Sequence, residues 1–454
     1  MNQINQDVFH AYDIRGAYPQ EFNEETAYKI ARVFVKYSQA KQILVGRDIR
    51  LSSEKLLKSI INGINSQGVE IIDIGLCSTP CFYFAVANSD VDAGLMITAS
   101  HAGKEFNGLK PYLKGGVPLS KEQMTEFKNI ALNSEFSVLS SNEEKIIKKD
   151  FTQIYVSTIR KFIKNEFKPL KVVSDAGNGM AGLYIKEIFS GTNLDVISIF
   201  DEPNGNFPNH ETNPKIPDNR QKLTEKIISE KADLGFMFDG DADRVYVLNR
   251  EGKVIDPSLV SALISQYLIN QSQKKKILIE VRTSQVVNDF IEKFGGKAEI
   301  SACWTIPIKL KMRADSEFIF GSETSGHYIF ADFYWIDDGI LAMLNFLQAI
   351  SIKKETIDEI IQDFQKRYFI IEEINFEIKN SEQAKEILNA LENKYKKEGA
   401  AILKIDGLSV KFPDWRFNLR ASETEPLIRL NLEAKTKELM ETKKQELTEL
   451  IRVS

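Results

Sequence analysis

AGLMITASHAGKEFNGLK, residues 93–110, changes character at its middle. Residues 93–99 are small or apolar almost throughout, the pattern of a strand buried on both faces. Ser100 stands just past that strand. His101 follows it, and glycines, an asparagine and Lys110 come close behind. In parallel sheets, ligands gather beyond the carboxyl ends of the strands. The fold around 93–99 therefore decides what Ser100 means.

The preceding segments alternate strand and helix. QILVG, residues 42–46, reads as a short buried strand. Ser52 or Ser53 can cap a helix whose apolar positions Leu56, Leu57, Ile60, Ile61 and Ile64 keep a 3.6 period. VEIIDIG, 69–75, is the next strand. Thr79 and Pro80 read as an N-cap and first helical residue before 81–88. Alternation of this kind predicts a mainly parallel α/β sheet. The pattern returns at 169–179, 233–249, 275–301 and 318–327, roughly every 100 residues, which suggests repeated α/β domains. From about residue 369 the texture changes. EEINFEIK alternates as a strand, 382–397 reads as a charged helix, and LSVKF, WRFNLRAS and LIRLNLEA follow as short strands before a closing charged helix. That predicts a smaller α+β domain. The expected domains are 1–150, 151–255, 256–368 and 369–454, with the lysine-rich stretch 142–150 and the segment 364–372 as boundaries.

Composition narrows the function. The chain has 454 residues, 43% hydrophobic and 27% charged, as in ordinary globular proteins. A net charge of −5 implies neither a nucleic-acid nor a membrane-surface partner. A polyanionic substrate would need a local basic pocket. Three cysteines form no disulfide framework, and Cys77 and Cys81 lack the further ligands of a zinc site. The N-terminus has no basic start or apolar run of a signal peptide, and no stretch is long and apolar enough to span a membrane. A cytoplasmic location is expected.

Five other motifs bear chemistry. DGDADR, 239–244, places Asp239, Asp241 and Asp243 at alternating positions between two apolar strands, where they can converge on a hard cation. Oxygen-only ligands favour magnesium over zinc. Arg244 beside them can pair with a carboxylate or hold a phosphate. GSETSGH, 321–327, supplies Glu323, Ser325 and His327; a carboxylate can accept hydrogen bonds from vicinal hydroxyls of a sugar. RASETEPLIR, 420–429, offers Arg420, Ser422, Thr424 and Arg429, groups suited to a phosphate dianion. AYDIRG and GRDIRLSS add Arg15 and, after a strand, Arg47, Asp48 and Arg50. DAGNG, 175–179, lacks the spacing of a dinucleotide or Walker loop and reads as a structural turn. A hydroxyl nucleophile, a hard-metal loop, a polyol-binding carboxylate and a phosphate cradle together suit phosphoryl transfer to a sugar.

In the order AYDIRG, TASH with NGLK, DGDADR, ETSGH and FNLRASETEP, these motifs resemble the α-D-phosphohexomutase family, in its phosphomannomutase/phosphoglucomutase branch, over essentially the whole chain. The resemblance implies four domains around a central cleft, three related mixed α/β sheet domains and a smaller C-terminal α+β domain. It implies that Ser100 is the phosphoserine and that Asp239, Asp241 and Asp243, with the phosphate on Ser100, hold Mg2+. Lys110, Arg15, His101 and Arg244 would surround the transferring phosphoryl group. Glu323, Ser325 and His327 would contact the sugar, and Arg420, Ser422, Thr424 and Arg429 the phosphate that stays put. The implied reaction interconverts mannose 6-phosphate and mannose 1-phosphate through a hexose 1,6-bisphosphate, in a monomer or homodimer. Phosphoglucomutase or dual specificity is the near alternative, and a sugar-phosphate-binding protein with weakened turnover the distant one.

Two loops depart from the family. TASHNP is usual, and Ala102 and Gly103 replace its asparagine and proline, which predicts a more flexible nucleophile loop. The third-domain loop reads SACWTIPIK, 301–309, without the histidine of many relatives. Trp304 there either stacks on a sugar or packs as an ordinary aromatic. Arg282 is a weak acid–base candidate, because arginine stays protonated.

Overall fold

A computed structural model describes residues 3–136, 145–422 and 425–453, with the side chains of Glu372 and Val453 left undescribed. The chain forms two compact units, each discontinuous in sequence. One comprises Met1–Ile255, Lys309–Ser316 and Ser325–Ile352; the other comprises Asp256–Ile308, Glu317–Thr324 and Lys353–Ser454.

The first unit opens with a seven-stranded sheet: β1 (Ile14–Ala17), β2 (Gln42–Arg47), β3 (Glu70–Leu76), β4 (Ala93–Ile97), β5 (Phe106–Leu113), β6 (Val117–Pro118) and β7 (Ile146–Lys148). The order is β1-β5-β4-β2-β3-β7, with β6 beside β5. β4 is buried along its whole length. It runs parallel to β2, and β2 to β3. β5 is antiparallel to both β4 and β1, so the sheet is mixed rather than mainly parallel. The cause is the short link between β4 and β5, which has no room for a crossover helix, so the chain must turn back. That reversal brings Lys110 beside Met96, near Ser100.

Helix ends refine two expectations. Ser78, one residue before Thr79, caps the helix Thr79–Ala87 by accepting the Cys81 N–H; Thr79 and Pro80 are already helical. Ser52 starts the helix Ser53–Asn65 without a side-chain cap, because its hydroxyl instead accepts from Asn107.

A second sheet holds β8 (Lys171–Asp175), β9 (Asp195–Ile199), β10 (Leu234–Phe238) and β11 (Val245–Asn249), in the order β11-β10-β8-β9. β10 and β11 form an antiparallel hairpin whose tip is residues 239–244. In the second unit, β12 (Lys276–Glu280) lies parallel between β13 (Lys297–Ser301) and β14 (Phe318–Ser322). β15 (Tyr328–Phe330) and β16 (Ile336–Asp337) pair antiparallel in the first unit.

The C-terminal sheet comprises β17 (Phe369–Glu377), β18 (Ala401–Leu403), β19 (Leu408–Lys411), β20 (Trp415–Ala421) and β21 (Leu427–Ala434), antiparallel in the order β17-β21-β20-β19-β18. The short β18 was not expected from sequence. Helices Ser381–Lys397 and Lys437–Val453 bury Ile387, Leu391, Tyr395 and Leu447 with Trp415 and Phe417 of the sheet. No helix among the described residues is long and apolar enough to cross a membrane.

Candidate active site

Ser100 follows β4 with φ +51°, a left-handed backbone that is uncommon for a residue with a side chain. Its N–H donates to Thr98 Oγ1 at 2.9 Å, and its hydroxyl donates to Asp239 Oδ2 at 3.0 Å. His101 Nδ1 lies 3.2 Å from the same hydroxyl. The sequence places Ser100 and Asp239 far apart; the carboxyl ends of β4 and β10 bring them together. Gly240 permits the approach, since a Cβ there would stand 2.8 Å from the Ser100 carbonyl oxygen.

The Ser100 loop is held from outside itself. Arg50 is fully buried, and its guanidinium donates to the carbonyls of Ser100 (2.8 Å), Ala102 (2.7 Å), Gly103 (2.6 Å) and Phe106 (3.0 Å). Asp48 orients that fork through Nε at 3.1 Å. Ser53 and Asn107 complete the network, and the Phe207 ring lies 5.5 Å from the guanidinium carbon. The expected looseness at Ala102 and Gly103 thus meets a clamp on both their carbonyls. Arg50 was visible in GRDIRLSS but without a role, because backbone acceptors leave no mark on a side-chain pattern.

Asp239, Asp241 and Asp243 are buried, with carboxylate oxygens within 4.8 Å of one another. Burial and the charges of Asp243 and Asp241 push Asp239 well above the usual carboxylate range. Asp243 is held low despite its burial, by Lys110 and His327. Lys110 Nζ sits 2.8 Å from both Asp241 Oδ2 and Asp243 Oδ2. Burial opposes its charge, and the two carboxylates more than restore it. Asp241 Oδ2 also accepts from Thr79 at 2.6 Å, while its Oδ1 is buried without a hydrogen-bond partner among the described residues. A bare oxygen inside an all-oxygen acidic cluster fits a hard divalent cation.

Arg244 and Arg15 border this centre. The Arg244 backbone N–H donates to Asp239 Oδ1, and its Nε lies 3.1 Å from His327 Nε2. His327 Nε2 is 3.3 Å from Asp243 Oδ1, and Ser325 Oγ is 3.0 Å from His327 Nδ1. Ser325 and His327, expected at the sugar, therefore lie against the acidic loop within the first unit. Burial, then the charges of Arg244 and Arg15, depress the His101 pKa well below its ordinary value, so its imidazole is neutral at pH 7.

Glu323 belongs to the second unit. It pairs with Arg282 at 3.2 Å, and Arg282 is fixed by Glu280 at 3.0 Å. Glu280 also accepts from Thr324 Oγ1 at 2.6 Å and from Cys303 Sγ at 3.2 Å. These carboxylates hold Arg282 charged despite its burial, which removes it as an acid or base. Trp304 is 48% exposed, and its φ of +80° is a left-handed backbone.

Arg420 and Arg429 stand directly opposite each other on β20 and β21. Glu373 bridges them, 3.2 Å from Arg420 and 3.5 Å from Arg429. Ser422 Oγ lies 3.4 Å from Arg429 Nη2. Thr424 lies outside the described residues. Glu373 escaped the sequence reading; the only hint was a doubled glutamate in an otherwise alternating strand.

The comparisons cover the whole of this architecture. Phosphoglucomutase/phosphomannomutase family models match alpha/beta/alpha domain I at residues 6–138, domain II at 153–252, domain III at 256–368 and the C-terminal domain at 373–450. The chain is 34% identical to a phosphomannomutase of Vibrio cholerae over 98% of each chain. It is 32% identical to a phosphoglucomutase of Neisseria gonorrhoeae, over 97% of this chain and 96% of that one. A phosphoglucomutase/phosphomannomutase family protein from Burkholderia thailandensis superposes with a TM-score of 0.88 at 26% identity, covering 99% and 98% of the two chains.

Proposed function

The chain belongs to the phosphoglucomutase/phosphomannomutase family of α-D-phosphohexomutases, and from that premise we propose that it is a phosphomannomutase working through phospho-Ser100. The phosphohexomutase activity, an isomerase reaction, comes with the family; the preference for mannose and the residue roles are our reading. The observation that carries it is the convergence of Ser100 and neutral His101 past the end of β4, three carboxylates past the end of β10, and Lys110 from within β5.

In this mechanism Ser100 passes its phosphoryl group to the free hydroxyl of a hexose phosphate and recovers the other phosphate from the resulting 1,6-bisphosphate. When the phosphoester breaks, the proton released by the attacked sugar hydroxyl ends on the Ser100 oxygen; when Ser100 attacks the bisphosphate, neutral His101, its Nδ1 beside that oxygen, takes the serine proton and passes it to the departing sugar oxygen. Arg15 and Arg244 face the charge on the transferring group, and Lys110 keeps Asp241 and Asp243 in place. Asp239, Asp241 and Asp243 would hold Mg2+, which when bound offsets phosphate charge and polarises phosphoryl oxygens. Glu323 would accept from sugar hydroxyls, and Arg420, Ser422, Thr424 and Arg429 would grip the second phosphate. The bisphosphate also serves as activator by phosphorylating Ser100. The same reading places the enzyme in the cytoplasm as a monomer or homodimer.

Intact mass after incubation with glucose 1,6-bisphosphate tests the reading. Wild type gains one phosphate and Ser100→Ala gains none. Equal labelling of both, or turnover retained in Ser100→Ala, would refute it.

A further inference from the structure

Two arginines directly opposite on neighbouring strands repel each other, and a sheet carries such a pair only when something offsets it. Here the offset is Glu373. It is mostly buried, one oxygen toward Arg420 and the other toward Arg429. Its placement is not simple strand alternation. The pairing of β17 with β21 slips between Ile371 and Ile374, and Glu373 lies in that irregularity. Bulges of this kind re-aim a side chain. The arginines are not fully satisfied by it: among the described residues, Nε of Arg420 and Nε of Arg429 are both buried without a hydrogen-bond partner. Glu425, 2.6 Å from Arg429, adds an exposed contact on one side only.

We propose that Glu373 is a resident counter-anion of the phosphate cradle: it occupies Arg420 and Arg429 between ligands and is displaced by the phosphate group of the substrate. This rests on the reading of those arginines as the cradle. A carboxylate and a phosphate compete for the same forks, and a phosphate dianion, with more charge and more acceptor oxygens, wins when present. The competition has a use. The 1,6-bisphosphate must leave the cradle and return reversed in every turnover, so an over-tight cradle would trap it. A built-in competitor raises the apparent Kd by the inverse of the fraction of time the site is free.

The test measures inorganic phosphate and mannose 1-phosphate binding by calorimetry, with KM and kcat, in wild type, Glu373→Gln, Glu373→Asp and Arg420→Met. Glu373→Gln should tighten inorganic phosphate by about tenfold, the gain expected if Glu373 occupies the site roughly nine-tenths of the time. KM should fall with it, and kcat should fall as the bisphosphate lingers. Glu373→Asp, charged but shorter, should lie between. The Glu373→Gln melting midpoint should drop without ligand and rise further than wild type with saturating phosphate, because repulsion exposed in the apo protein is relieved by the anion. Unchanged or weaker phosphate binding in Glu373→Gln, with Arg420→Met raising KM, would overturn the proposal while leaving the cradle intact. If Arg420→Met leaves phosphate binding and KM unchanged, the cradle reading fails and the proposal falls with it.

Discussion

At the scale of single residues, the position of Ser100 is set by backbone as much as by side chains. Ser100 needs a left-handed φ to bring its hydroxyl to Asp239, a conformation that costs about 1–3 kcal/mol and persists only where the surroundings enforce it. Arg50 is that enforcement, with donors to four carbonyls of the loop. Arg50→Lys keeps the charge but replaces a planar fork by a single point of donors. Its expected outcome is a kcat lower by about 100-fold, the scale of loss for a small misplacement of reacting groups. KM should stay within about twofold, since the clamp is not a substrate contact. Steady-state kinetics checks this; a wild-type kcat would show that the loop holds itself. Trp304 presents a related case, with its own left-handed backbone and half its surface exposed. Its conformation was invisible in the sequence, because nothing about SACWTIPIK marks a positive φ.

At the scale of elements, the loop 204–212 shows how a segment passed over in the sequence is tied to the site's scaffold. His210 Nε2 lies 3.1 Å from Asp175 at the end of β8, and Asn209 donates to Asn178 at 2.7 Å. Phe207 of the same loop lies over Arg50. Burial works against a charged His210, but the hydrogen bond and charge of Asp175 outweigh it and raise the histidine's pKa. A raised folded pKa stabilises the protein fully below the unfolded value of about 6.5 and loses that contribution as pH climbs through the folded value. His210→Asn should therefore lower the apparent melting midpoint at about pH 6 and matter less at about pH 9. Thermal melts across that range check it, and a difference that grows with pH would contradict the pairing. DAGNG was rightly read as a turn, but its aspartate's partner lies 35 residues ahead, beyond any local pattern.

At the scale of the whole molecule, the residues we propose for substrate recognition lie on separate pieces of chain. GSETSGH is divided, with Glu323 in the second unit and Ser325 and His327 in the first. Relatives of about equal similarity bear both the phosphomannomutase and phosphoglucomutase names. If the proposed function holds, the ratio of kcat/KM favours mannose 1-phosphate over glucose 1-phosphate. Coupled assays with both sugars check this, and a preference for glucose would reassign the enzyme within its family.

Element order, the hydrophobic strands and the motif at each strand end are local properties, and local chemistry was enough to read them. An apolar run that stops at a serine, or three aspartates at alternating positions, carries its meaning in adjacent residues. So the family was legible at Ser100, Lys110 and DGDADR. Three other features were not. β5 reverses because of the length of its link, Arg50 is recruited by carbonyls that every residue possesses, and Glu373 is aimed by a slip in strand pairing. Each depends on which backbone groups meet across the fold. Backbone is the same at every position, so only the folded arrangement selects the partners.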